Sequence, residues 1–175
     1  MRTRRVAVVS AVAAILATTV LATTAWAAAD HRRVQVLDDC DAETFNAVLG
    51  PGSCVKDGDV TFDEFIEQLL TRGEVPAWRF APDHLKLNAG GTITATNRGG
   101  EFHTFTEVAA FGGGCVQEIN DLIGLQPVPE CAIPDIFETT GLPPRASRNT
   151  GPLASGTHRF QCLIHPWQRT TAEAR

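Results

Sequence analysis

Methionine occurs once in the 175-residue sequence, at position 1. A chain that loses its leader therefore has no thioether sulfur to offer a metal. Histidine is sparse as well: the five are scattered, with no His-x-His pair, which excludes the trinuclear cluster of a multicopper oxidase. Basic residues are outnumbered, 15 Lys and Arg against 20 Asp and Glu, for a formal charge of −5, and no Lys/Arg cluster stands out. Such a surface repels phosphate backbones, so nucleic-acid binding is not expected. Long apolar runs are also missing. The longest, Val6 to Leu21, is too short and too rich in Thr to read as a membrane span.

That run reads instead as the middle of an export signal. Arg2, Arg4 and Arg5 precede it, and Ala25-Trp26-Ala27 supplies the small residues of a cleavage site. Residues 1–27 are assigned to a signal peptide, and the protein to a secreted or otherwise extracytoplasmic location. Cleavage would leave 148 of the 175 residues and remove three Arg and no acid, giving 12 Lys and Arg against 20 acids, or −8. That length is one domain with a real core, expected to be a monomer without a membrane span.

An exported chain with five cysteines keeps one thiol unpaired. The spacing suggests Cys40 with Cys54 and Cys115 with Cys131, each bridge closing a short loop in an oxidising compartment. Other pairings of these four are compatible with the sequence. Cys162 is the remainder, and it lies three residues before His165.

Residues 28–76 read as a helical extension packed on the rest. Thr61 and Glu64 have the spacing of a capping box, and Phe62, Phe65, Ile66, Leu69 and Leu70 fall on one helix face before Gly73 and Pro76 end it. A shorter helix is expected from Asp41 to Leu49. The stretch from Asp57 to Glu64 imitates the second half of a calcium loop. Its first and third positions would be Ser53 and Val55, so no calcium is expected there.

From residue 77 to 175 the pattern changes to period two. Trp78 and Phe80, Leu85 and Leu87, and the run Thr92 to Asn97 alternate as half-buried strands do, with turns at Asn88-Ala-Gly-Gly and Asn97-Arg-Gly-Gly. Short strands at this spacing predict an antiparallel two-sheet sandwich. Between Phe111 and Gly156 the rhythm is lost. That segment holds six of the ten prolines and one predicted helical turn, Val116 to Ile123, and a stretch so irregular calls for a tether.

The last strand-like run ends in Cys162, His165 and Gln168, at three-residue steps, and Phe102-His-Thr-Phe-Thr brings His103 from another strand. Two imidazoles and a thiolate in a trigonal plane, with a weak fourth ligand, describe a blue-copper electron-transfer centre. A soft thiolate favours Cu(I), while imidazole suits both oxidation states. Gln168 is the axial candidate, through its amide oxygen. The same His, His and Cys set would also suit tetrahedral zinc with an open position, which makes a zinc-dependent hydrolase the minor alternative. His31, His84 and His158 read as surface residues.

From about Trp78 onward the chain resembles the cupredoxin family, in particular its short-loop, amicyanin-like and plastocyanin-like members. The resemblance is carried by Trp78-Arg-Phe-Ala-Pro, Leu85 to Asn97, Phe102 to Thr106 and Phe160-Gln-Cys-Leu-Ile-His-Pro-Trp. The family's final motif runs Cys-x-x-His-x-x-Met, and Gln168 stands in the Met place. The resemblance implies a mainly β, Greek-key sandwich and an electron carrier, not an enzyme, holding one copper ion on His103, Cys162, His165 and Gln168. It also implies a protein redox partner docking where the edge of His165 meets the surface, beside Pro166 and Trp167, with packing in the core as the other reading of Trp167. Asn97 is the expected hydrogen-bond partner of the ligand His103. A cupredoxin-like binding module without redox copper is the other alternative.

Overall fold

The computed structural model describes residues 30–175, so the signal peptide expected at 1–27 lies outside the described residues. The strands are β1 (His31–Leu37), β2 (Arg79–Ala81), β3 (His84–Leu87), β4 (Thr92–Asn97), β5 (His103–Thr104), β6 (Thr106–Val108), β7 (Gly141–Leu142), β8 (Ser147–Asn149), β9 (Gly156–Gln161) and β10 (Arg169–Ala174). Among the described residues four α-helices punctuate them, α1 (Ala42–Leu49), α2 (Phe62–Arg72), α3 (Gln117–Ile123) and α4 (Ile136–Thr140), with a short 3-10 turn at Pro129–Ala132.

One sheet runs β2-β1-β4-β8 and the other β3-β10-β9-β6, with a small β5-β7 pair beside them. The chain crosses between the two main sheets again and again, as β2 to β3, β3 to β4, β4 to β6 and β8 to β9 do. These are the crossovers of a Greek-key sandwich, and no closed barrel forms. The sheets are mixed, not purely antiparallel: β1 pairs parallel with β4, and β3 parallel with β10. The first of these pairs corrects the reading of residues 28–76 as helical. Val34 and Val36 alternate with polar residues and are fully buried, so β1 is an inner strand and the helical part begins only after it.

Alternation places one face of each sheet in a shared core of Val34, Val36, Phe80, Ile93, Phe105 and Phe160 with their neighbours. Phe105 and Phe160 stack at 4.5 Å across the second sheet. Cys162 lies at one end of this cluster, which puts the free thiol against the sandwich interior.

The two predicted N-terminal helices form a cap with its own core. Asp41 accepts from Thr44 N, and Thr61 and Glu64 make the reciprocal capping box. Gly73 ends α2 with φ of 71°, a left-handed conformation that glycine adopts without steric cost. Phe45, Phe65, Leu69, Val75 and Trp78 pack together, and the half-buried Trp167 joins them from the C-terminal loop. Both expected disulfides are present. Cys40–Cys54 ties the start of α1 to the loop before α2, and Cys115–Cys131 tethers the irregular segment. No described helix is long and apolar enough to cross a membrane.

Candidate metal centre

Strand β9 ends at Gln161 and the chain turns back through residues 162–168 before β10. Cys162 N donates to Gln168 O at 3.0 Å and Gln168 N to His165 O at 2.9 Å, so the loop is closed by its own backbone. His165 N points at the Cys162 sulfur, 3.5 Å away. This is the physical content of the three-residue spacing: a closed turn swings the imidazole back over the thiol. Thr104 N approaches the same sulfur at 3.4 Å, and Thr104 Oγ1 accepts from Leu163 N at 2.8 Å. Those two bonds clip β5 to the loop and bring in His103.

The three donors then converge. Cys162 Sγ lies 3.8 Å from Nδ1 of His103 and 3.8 Å from Nδ1 of His165, and the two nitrogens are 3.2 Å apart. A triangle with those sides has its centre roughly 2.1 Å from each corner, within the range of bonds from a transition-metal ion to imidazole or thiolate. All three side chains are buried, and among the described residues no other cluster of His, Cys, Asp and Glu has metal-binding geometry. His31, His84 and His158 lie elsewhere, His31 and His158 hydrogen-bonded to Thr92 and Glu107 and His84 3.7 Å from the Glu173 carboxylate.

Electrostatics favour the charged donor. Burial alone would push the Cys162 thiol up, but hydrogen bonds and charge from His103 and His165 bring it well below its ordinary value, which favours the thiolate. Burial likewise disfavours the His103 imidazolium, yet Asp38 and the Cys162 sulfur raise it to about 10. A metal ion entering the triangle would displace the proton on Nδ1 and leave the one on Nε2.

That second proton is held by a residue the sequence did not single out. His103 Nε2 sits 2.7 Å from Asp38 Oδ2, with both side chains fully buried. Asp38 also accepts from the backbone of Gly100 at 2.8 Å and of Glu101 at 3.1 Å. Burial raises its carboxyl, but these bonds and the His103 charge outweigh it and hold the group at about 2. Gly99 is required here because a Cβ would collide with the Asp38 carboxylate. Asn97, the expected partner, instead bonds Glu101 O, Leu142 O and Gly99 N, and so braces the loop that leads to His103. Nothing in spacing marks Asp38: it is one acid of an Asp-Asp pair at the end of β1, 65 residues before His103.

Gln168 is fully buried. Its Nε2 donates to Leu37 O at 2.8 Å, next to Asp38, while its Oε1 has no hydrogen-bond partner. An acceptor without a partner costs about 1–3 kcal/mol, and a metal ion within its reach would supply the partner it lacks. The residues present thus fit one ion: three donors at bonding radius and an orphaned amide oxygen on the loop that carries two of them.

The surroundings of His165 correct the expected docking face. His165 is 3 % exposed, its ring covered by Phe65, Trp78 and Trp167 with centroids 6.2, 6.5 and 5.6 Å away. Trp167 donates through Nε1 to Val75 O at 3.2 Å and closes onto the cap. The α1–α2 cap is what covers this edge. Glu101 lies beneath it, with Oε2 accepting from Trp78 Nε1 and 3.6 Å from His165 Nε2. Burial raises the Glu101 carboxyl, with nearby His165 offsetting part of the effect.

Comparison with solved structures finds neighbours with the same kind of architecture. The chain is similar to cupredoxins. A purple cupredoxin from Nitrosopumilus maritimus matches 82 % of this chain and 99 % of its own, at 15 % identity and a TM-score of 0.43. Amicyanin from Paracoccus versutus matches 55 % of this chain and 73 % of its own, at 11 % identity and a TM-score of 0.36. A Cu(I) form of an amicyanin mutant matches the same shares at 17 % identity, also with a TM-score of 0.36. No protein-family model and no curated protein matches the sequence. The functional case therefore rests on the site's own geometry.

Proposed function

We propose that the protein is an exported electron carrier, a cupredoxin-like protein with one mononuclear, type 1-like copper site. The observation that carries this reading is the buried triangle of Cys162 Sγ and two imidazole Nδ1 atoms, with sides of 3.8, 3.8 and 3.2 Å. Copper bound there would supply a one-electron couple between Cu(I) and Cu(II). The chain's own contribution is to hold donors tolerable to both states so that little moves on transfer. The 162–168 turn fixes Cys162 and His165 relative to each other, Thr104 locks His103 beside them, and Asp38 keeps the His103 proton on Nε2. Gln168 is the proposed axial ligand through Oε1, supported by that atom's burial without a partner. Two disulfides support an oxidising, extracytoplasmic location. A protein redox partner remains part of the proposal, with half-buried Trp167 the aromatic nearest the surface around His165.

The test is a titration with Cu(II). The expected result is one ion per chain with intense visible absorption, lost in Cys162→Ser. Tight zinc binding with colourless copper would favour the hydrolytic alternative, and no uptake of either metal would leave a binding module.

A further inference from the structure

The covered side of His165 faces a cavity. The space has a volume of about 350 Å³ and lies between the cap and α3, with Phe65 and Ile66 on one side, Ile119 and Leu122 on the other, and Glu101 and His165 at its floor. Its size falls in the range of small-molecule sites, about 300–1,000 Å³, and its composition has their usual form, apolar walls with few polar groups. Sequence periodicity accounts for the walls: Ile119 and Leu122 are three apart on α3, and Phe65 and Ile66 lie on the apolar face of α2.

The polar group is what points to a ligand. The Glu101 side chain is only 9 % exposed and lines the cavity. Its Oε2 accepts from Trp78 Nε1, whereas among the described residues no hydrogen bond reaches its Oε1, which is not among the fully buried atoms left without a partner. As a carboxylate, Glu101 offers Oε1 to the cavity as a hydrogen-bond acceptor, and a ligand bearing a donor would pair with it. Water would satisfy that oxygen but would leave the apolar walls wet.

We propose that this cavity binds a small aromatic molecule bearing a hydroxyl group, its ring between α2 and α3 and its O–H donated to Glu101 Oε1. Such a ligand lies against the edge of His165. The site stands whether or not copper occupies the neighbouring triangle, but its relevance to electron transfer rests on the function proposed above.

The experiment uses 1-naphthol as probe, with calorimetry on both the metal-free and the Cu(II)-loaded protein. One naphthol per chain is expected in both forms. The isostere 1-fluoronaphthalene, which keeps the shape and cannot donate, should bind at least tenfold more weakly, the loss that follows from giving up a hydrogen bond to a charged acceptor. Ile119→Trp fills the cavity and should abolish binding; Leu122→Trp, at its rim, is the second variant should the first fail to fold. In copper-loaded protein, naphthol should also shift the visible band. No binding to the folded metal-free protein, equal binding of the fluoro compound, or unchanged binding by the tryptophan variants would each overturn the proposal. A colourless copper complex with naphthol binding intact would sink the electron-transfer reading and leave the cavity site standing.

Discussion

Asp38 Oδ2 and His103 Nε2, 2.7 Å apart and wholly buried, join the end of β1 to the candidate metal ligand on β5 across the mouth of the sandwich. The pair does more than orient a ring. With Nε2 committed to the carboxylate, Nδ1 is the nitrogen that faces Cys162, and His103 itself, helped by the backbone amides of Gly100 and Glu101, keeps Asp38 ionised for that task. Asp38→Ala should therefore weaken metal binding about 10- to 100-fold, the usual effect of removing the partner of a ligating histidine. Competition with a chelator of known affinity checks this. Its signature is that Asp38→Asn, which retains an acceptor oxygen for Nε2, recovers much of the loss.

The same carboxylate gives the metal-free protein an acid limb. Its folded value of about 2 lies below the ordinary 3.8, so its stabilisation is complete above about 4 and disappears as pH falls toward 2. Denaturant unfolding between pH 5 and 2 should show a steeper fall in stability for the native sequence than for Asp38→Asn. Parallel slopes would mean that Asp38 is not ionised by the fold.

Gln168 separates two roles that a single stability measurement would confuse. In the copper-loaded protein, exchanging its hard oxygen for a thioether in Gln168→Met should raise the potential, because an oxygen ligand stabilises Cu(II). In the metal-free protein the unpartnered Oε1 is a liability, while Nε2 contributes a bond to Leu37 O. Gln168→Leu removes both, so metal-free stability should change by less than about 1 kcal/mol in either direction. Voltammetry on the first variant and unfolding of the second read the two roles independently. An unchanged potential in Gln168→Met would remove Gln168 from the ligand set.

The cap depends on Phe45, 1 % exposed, whose ring meets Phe62, Phe65 and Trp78 within 5.3–5.8 Å. Phe45→Ala should cost about 3–5 kcal/mol, the range for a buried aromatic truncated in a packed core. Because this cluster also covers His165, exchange of the metal with external chelators should speed up in the variant. A destabilised protein with unaltered metal exchange would show that the cap and the site open independently.

What could be read before any coordinates were the features with local rules. The Thr61/Glu64 box, the α2 face apart from the exposed Leu70, and the alternation of Thr92 to Asn97 follow from spacing over a few residues, the unpaired Cys162 follows from an odd count, and each is found where expected. The features missed depend on contacts across the chain. Val34 and Val36 alternate too briefly to announce a buried strand, and parallel pairing with β4 is what makes β1 one. Asp38 looks like any surface acid until Gly99 and Gly100 wrap it. The covered edge of His165 was invisible because it results from where the cap sits on the sandwich, which capping boxes and periodicity do not encode.

His158 offers a test of the second sheet, away from the metal. Both ring nitrogens face acceptors, Nδ1 to Glu107 Oε1 at 2.6 Å and Nε2 to Ala154 O at 2.9 Å, so both are satisfied only when both carry protons. Partial burial works against the imidazolium, but the Ala154 carbonyl and Glu107 outweigh it and raise the group above its ordinary value. A raised value means that the stabilisation is fully present below the unfolded value of about 6.5 and is lost as pH rises through the folded one. An NMR titration of the ring protons should place His158 above an unperturbed histidine, and Glu107→Gln, which removes the charge, should move it down. If Glu107→Gln leaves the midpoint where it was, the β6–β9 register that puts Glu107 beside His158 is wrong.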